Sequence, residues 1–325
     1  MAVRIHFTDD DLAHLRLAQA PDPLWETLLS MHMLQTDTAS AVFAGWRHKA
    51  RRDLPAAVGP LLSLAPPTGY SADFLTPAAG AGGLDAGLGA LMSTPRQRLR
   101  GDLVTLARTG RRLPGWARPL ADGDRDAVAH LAHLVHTYFT LTLAPYWPRV
   151  RTRFNAERAA HTRYLADGGL GGLLGALHPH LVWNPPVLEV TGLGADRDIH
   201  LDGRGLLVLP SYFCWRKPTL LKDPALPCVV VYPMTHEAPL GPAPGPPSRS
   251  LNALLGRTRA GILESAAETG ATTTELAQDA GISLATASHH VGILREAGLM
   301  STCRAGKAVL HTVTPLGAAL LDGRT

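Results

Sequence analysis

The run Pro239–Pro247, PLGPAPGPP, sets the strongest limit on how this chain folds. Proline lacks a backbone N–H and fixes φ, so a segment alternating it with glycine belongs to neither a helix interior nor a sheet. With no periodic apolar residues, the run reads as a semi-rigid extended linker. The chain therefore divides into a larger domain over residues 1–235, a linker over 236–248 and a smaller domain over 249–325. A length of 325 residues gives both domains enough material for a core.

Apolar residues make up 46% of the chain and charged ones 18%, the balance of a folded chain rather than a disordered one. Val3–Phe7 alternates like a short strand, and Thr8 followed by aspartates reads as a helix N-terminus. Helical patterns follow around Pro23–Gln35 and Ala39–Arg51, then over Asp124–Leu143 and Trp147–Ala166. Pro145 separates the last two, and Gly168-Gly169 is the expected stop. Pro66–Gly89, rich in Gly, Ala and Pro, reads as loop. From Leu181 the runs Leu181–Trp183, Val187–Thr191, Leu206–Leu209 and Val229–Tyr232 are short, apolar or β-branched, and bounded by Pro, Gly and Asp. They predict strands of a mostly antiparallel sheet.

Beyond the linker the local signals are denser. Thr272-Thr273-Thr274-Glu275 is a capping box, in which hydroxyl and carboxylate each satisfy a free backbone donor. It opens a helix over Thr273–Ala280 with Leu276 and Ala277 inward. Gly281 closes that helix where a positive φ is needed, Ile282 plugs the turn, and Ser283 caps a second helix, Leu284–Ala297. At roughly 100° per residue, Leu284, Ala287, Val291 and Leu294 form its inward stripe. Ala285, Thr286, His289 and Gly292 then face outward, with Ser288 and His290 on the flanks. A helix entering the major groove needs such a face, short for close approach and able to hydrogen-bond base edges. After Gly298, strands Leu299–Arg304 and Ala308–Val313 are joined at Ala305-Gly306, with Arg304 and Lys307 at the tip to reach phosphates. The expected fold class is α+β: an N-terminal helical and antiparallel-sheet domain followed by a C-terminal winged helix-turn-helix domain.

The run Ser283–Gly317, SLATASHHVGILREAGLMSTCRAGKAVLHTVTPLG, resembles the ArsR/SmtB family of winged-helix repressors in its S-x-x-T-x-S-x-H core, its LREAGL and its TPLG. Gly256–Leu263, GRTRAGIL, is similar to that family's early helix motif. The YWPR, GRG and LVLPSYF elements of the first domain look like the domain fused to such modules in actinobacterial regulators, which implies an architecture but no ligand. The resemblance implies a homodimeric transcriptional repressor on a roughly palindromic double-stranded DNA operator. DNA contacts are expected from Ser283, Ala285, Thr286, Ser288, His289, His290, Arg295, Arg304 and Lys307. Two roles stay open: His290 as base contact or partly buried structural residue, and Arg295 as phosphate contact or ion-pair partner.

Two departures limit what carries over. Metal sensors of that family bear cysteine pairs on the helix before the recognition helix, where this chain has TELAQDAG. Their other metal site lies on a long C-terminal helix, of which only Pro315–Asp322 remains here. No metal and no cofactor is therefore expected, and the dimer interface is expected to move to the N-terminal domain.

Other functional classes find less support. His130, His133 and His136 fan over roughly 120° of a helix, as on a solvated face. Cys214, Cys228 and Cys303 form neither a disulfide framework nor a metal pair. No G-x-S-x-G elbow, phosphate loop, dinucleotide fingerprint or H-E-x-x-H occurs, so an enzyme is not expected. The aromatics of the first domain are either core and interface, or the lining of a pocket for a small organic effector. The pocket candidates are Tyr138, Tyr146, Trp147, Trp183, Tyr212, Phe213 and Trp215. MAVRIHFTDDD has no apolar run after its early arginine, and Leu54–Met92 is broken by proline and glycine and carries Asp73 and Asp85. Neither a signal peptide nor a membrane span is expected, and the expected location is the cytoplasm. The net charge of +4 is compatible with DNA.

Overall fold

The computed structural model describes residues 2–110, 112–223, 225–236, 249–267, 271–305 and 308–321. The chain forms two compact units, residues 1–241 and 242–325. Of the expected linker, all but His236 lies outside the described residues.

The first unit holds two four-stranded sheets against a shared core. One runs Leu181–Asn184, Val187–Thr191, Ala2–His6, Arg197–His200; the other runs Arg16–Leu17, Leu207–Ser211, Val229–Pro233, Thr219–Leu220. In the first, Ala2–His6 and Val187–Thr191 alternate between buried and half-buried residues, so one face meets the core. Val3 stands opposite Val190, and Ile5 opposite Leu188. In the second, Val229–Pro233 is buried at every position, as a central strand covered on both faces must be.

The α+β class stands, but the pairing is mixed rather than mostly antiparallel. Ala2–His6 pairs parallel with Arg197–His200, and Arg16–Leu17, Leu207–Ser211 and Val229–Pro233 are all parallel neighbours. The cause is non-local. N-terminal strands complete sheets built from residues beyond 181, and the chain between Leu207–Ser211 and Val229–Pro233 crosses over instead of turning back as a hairpin.

Side-chain caps start three of the first unit's described helices. Thr8 and Asp11 form a capping box at Asp9–Ala13, and Asp22 and Asp124 cap Pro23–Leu34 and Arg125–Thr142. Ser40–Asp53 follows the first of these long helices. Trp147–Ala176 is interrupted at Gly169 (φ 58°, ψ −157°), the expected stop. It then resumes, because Leu173, Leu174 and Leu177 must reach the sheet core.

The expected loop Pro66–Gly89 is instead largely ordered turns, Asp73–Leu75 and Ala78–Gly82, followed by a helix, Leu84–Met92. Its small residues serve packing. A Cβ on Gly87 would stand 2.6 Å from Leu24 Cδ1, so only glycine lets this helix approach Pro23–Leu34 so closely. Arg96–Ala107 is a further helix that the sequence pattern did not bring out.

The second unit contains helices Arg249–Leu255, Arg257–Ala267, Thr273–Ala280, Leu284–Glu296 and Pro315–Leu321. Its sheet orders Met300–Ala305, Ala308–Val313 and Ala271–Thr272. Ile262, Leu263, Ala266, Leu276, Val291, Leu294, Leu299 and Met300 make its core. Among the described residues, no helix is long and apolar enough to cross a membrane.

Candidate nucleic-acid interface

The interface is built outward from two capped helices. Thr272 Oγ1 accepts the Glu275 N–H at 3.3 Å, while the Glu275 carboxylate accepts the Thr272 N–H at 2.7 Å. The bonds that its carboxylate accepts from the Thr272 N–H and, at 2.9 Å, the Thr272 hydroxyl hold the Glu275 carboxyl below its ordinary pKa. Thr272 also pairs with Leu310, so the strand hairpin is tied to the residue that caps the helix it flanks. Gly281 takes the left-handed conformation (φ 63°, ψ 36°) that ends Thr273–Ala280. Ser283 then caps Leu284–Glu296, accepting the Thr286 N–H at 3.2 Å, with the two hydroxyls 2.8 Å apart.

Ala287, Val291 and Leu294 are buried, and this stripe seats the second helix on the core. Leu284, expected in the same stripe, is 55% exposed. It sits in the helix's first turn, ahead of the packed stretch, and Ile282 from the turn packs against the core there instead. Leu284 therefore joins the outward face, beside exposed Ser283, Ala285, Ser288 and His289 and half-buried Thr286.

The histidine pair separates into two environments. The rings of His289 and His290 lie 5.7 Å apart with planes inclined at 51°. His289 is exposed, whereas His290 is half-buried, and its Nδ1 is shielded with no hydrogen-bond partner among the described residues. Burial, and then the Arg259 guanidinium and the neighbouring His289, push the His290 pKa down. Arg295, at the far end of the helix, is exposed.

His311 was not singled out by sequence reasoning; a histidine inside the apolar run AVLHTV was its only signal. It is buried, with Nε2 2.9 Å from Thr273 Oγ1 and Nδ1 3.0 Å from Thr302 Oγ1. It thus pins both strands of the hairpin to the first helix. Burial, followed by the Arg295 charge, keeps its pKa below the ordinary value. The strands pair Met300 with Val313 through Ala305 with Ala308. Lys307 and the side chains of Cys303 and Arg304 lie outside the described residues.

The aromatic candidates of the first unit do not form one group. Tyr138 is fully buried and receives a hydrogen bond from Ser30 Oγ at 3.1 Å. Tyr146 is buried, Trp147 packs edge-on to Phe139 at 5.1 Å, and Trp183 packs edge-on to Phe7 in the sheet core at 5.3 Å. Tyr212, Phe213 and Trp215 do converge, around Phe43, with ring centroids 6.1, 5.2 and 5.7 Å from it. Trp46 and His236 join them, and neither these two nor Phe43 was among the sequence candidates. His130, His133 and His136 are exposed, and no cluster of three or more His, Cys, Asp or Glu among the described residues is placed to hold a metal ion.

No curated protein and no solved structure matches the chain. Residues 254–303 match the family described as "Helix-turn-helix domain". The match spans both capped helices, the Gly281 turn and the start of the hairpin. The C-terminal unit therefore carries a helix-turn-helix domain, the element with which regulators of this class bind DNA.

Proposed function

We propose that the chain is a homodimeric transcriptional repressor of the ArsR/SmtB type. It acts in the cytoplasm, is not an enzyme, and binds a roughly palindromic duplex operator. A small organic effector bound by the N-terminal unit controls it. The observation that carries the DNA-reading part is the exposed face of Leu284–Glu296, where Ser283, Ala285, Ser288 and His289 surround the N-terminal turns. Short side chains let the helix approach the groove, and the hydroxyls and imidazole offer donors and acceptors to base edges.

Base contacts and phosphate contacts fail differently when removed. Thr286→Ala or His289→Ala is expected to lower discrimination between operator and random duplex by about 1–3 kcal/mol. Arg304→Ala or Lys307→Ala is expected to weaken all duplexes alike, each reducing the salt slope by about 1. A gel-shift series over salt concentration separates the two patterns. Helix variants that keep full operator preference would remove the recognition role from this helix.

Dimerisation through the N-terminal unit is the second expectation. Among the described residues the last helix, Pro315–Leu321, spans seven residues, little surface for a partner. A dimer places recognition helices in successive major grooves, about 34–36 Å apart. In sedimentation the full chain should run as a dimer, and residues 249–325 alone mostly as monomer. A stable dimer of the short fragment would return the interface to its own helices.

A further inference from the structure

We propose that Leu284, with Ala285 beside it, reads the C5-methyl group of one thymine in each operator half-site. This deepens the DNA-reading part of the proposal above and rests on it. Packing inside the second unit does not account for Leu284, which is the first reason. The residue is 55% exposed, and among the described residues it has no place in the core around Leu276, Val291 and Leu294, where Ile282 packs instead. A single exposed leucine is ordinary on a protein surface, but this one stands at the tip of the reading helix. It is the first residue of Leu284–Glu296, directly after the Ser283 cap. Helical side chains lean toward the N-terminus of their own helix, so Leu284 reaches past the end that a recognition helix presents to base edges.

The second reason is how the outward face is graded along the helix. Residues three and four apart are surface neighbours, so Leu284 lies beside Ser288, and Ala285 beside Ser288 and His289. All four are exposed. Gly292 continues the row of Leu284 and Ser288, and a Cβ there would meet nothing within 4 Å, so packing within the unit does not require glycine. The row therefore shortens from leucine to serine to glycine, long at the end that enters the groove and bare toward the other. The hydroxyls nearest the tip are partly committed. Ser283 Oγ accepts the Thr286 N–H at 3.2 Å and lies 2.8 Å from Thr286 Oγ1, so one of the two hydroxyl hydrogens is used between them. The tip of the face is thus more apolar than its middle.

The third reason is what the groove offers such a tip. Among the base edges of the major groove, the protruding apolar group is the thymine C5-methyl. Leucine has neither donor nor acceptor on its side chain. Set against a guanine or adenine edge, it would strip water from polar atoms and give them no partner, which is costly. Set against the methyl, it removes apolar surface of both partners from water. One side chain therefore both selects thymine and rejects the alternatives, while Ser288 and His289 keep the hydrogen-bonding part of the reading.

The test uses the full chain and the most enriched duplex from a random library, with each thymine replaced in turn by deoxyuridine, which pairs identically and lacks only the methyl. One position in each half-site should be sensitive. Its replacement should weaken binding about fourfold, or about 15-fold when both half-sites are changed. Leu284→Ala should bind the thymine and uracil duplexes within about twofold of each other. Leu284→Met, which keeps an apolar side chain of similar size, should keep most of the parent's ratio. Each ratio is taken on one protein, so a partly unfolded variant still reports it. An enriched duplex with no uracil-sensitive thymine, or a Leu284→Ala ratio equal to the parent's, removes this contact while the regulator reading stands. A Leu284→Ala chain whose sedimentation changes while its ratio does not would assign the side chain to a protein contact and overturn the methyl reading. Enrichment of no duplex at all would count against sequence-specific binding by the chain, and the methyl contact would fall with it.

Discussion

Replacing Glu26 with alanine is expected to cost the N-terminal unit about 3–5 kcal/mol of stability. The carboxylate is 1% exposed and is the acceptor for one hydroxyl and two backbone N–H groups. Alanine would leave all three donors unpaired in the core and open a cavity beside them. Glu26→Gln keeps the volume and one acceptor oxygen, so it should cost clearly less. The same group sets a pH dependence. Burial pushes the Glu26 carboxyl from 4.5 up to about 7, and burial likewise pushes Asp22 from 3.8 up to about 6. A carboxyl with a raised folded pKa binds its proton more tightly when folded, so its contribution is full below the unfolded value and is lost as pH rises through the folded one. The unit should therefore lose stability between pH 4.5 and about 7, by about 3 kcal/mol from Glu26. Every tryptophan lies in residues 1–241, so indole fluorescence in urea reads this unit alone. A parent curve with no slope in that window, or a Glu26→Gln curve as steep as the parent's, would contradict the assignment.

Leu294→Asp is expected to abolish duplex binding without disturbing the first unit. Leu294 is 1% exposed, among Ile262, Leu263, Leu276, Val291 and Leu299. Losing a buried leucine forfeits about 2–3 kcal/mol of burial, and an unpaired carboxylate adds several more. A small domain has only about 5 kcal/mol or so to lose. Affinity should fall at least about 100-fold, which corresponds to about 2.7 kcal/mol. Circular dichroism should show helix lost from the second unit, while the indole transition of the first stays in place. Retained binding would mean that the recognition surface does not depend on this core.

The second unit was readable because its signals are local. Thr272, Glu275, Gly281 and Ser283 each fix a helix end within a few residues, and Ala287, Val291 and Leu294 follow a single helical period. Leu284 was misplaced because periodicity gives a direction around the helix and not the point where packing begins. In the first unit the helices at Pro23–Leu34 and Arg125–Thr142 were legible from their apolar pattern, and the structure adds the Asp22 and Asp124 caps. Strand pairing was not, because Ala2–His6 meets partners nearly two hundred residues away. Leu84–Met92 was hidden because small residues signal a loop and a close helix contact alike. The convergence of Phe43, Tyr212, Trp215 and His236 has no sequence period at all, and Glu26 showed only as a lone carboxylate in an apolar helix.

Selection of bound duplexes from a random library by the full chain tests the central claim most directly. The enriched sequences should hold two inverted half-sites whose centres lie about one helical turn, 10–10.5 base pairs, apart or a multiple of it. The same selection with Thr286→Ala or His289→Ala should relax individual positions within each half-site. Enrichment of no sequence, or of the same sequence just as sharply with both variants, would contradict recognition through Leu284–Glu296.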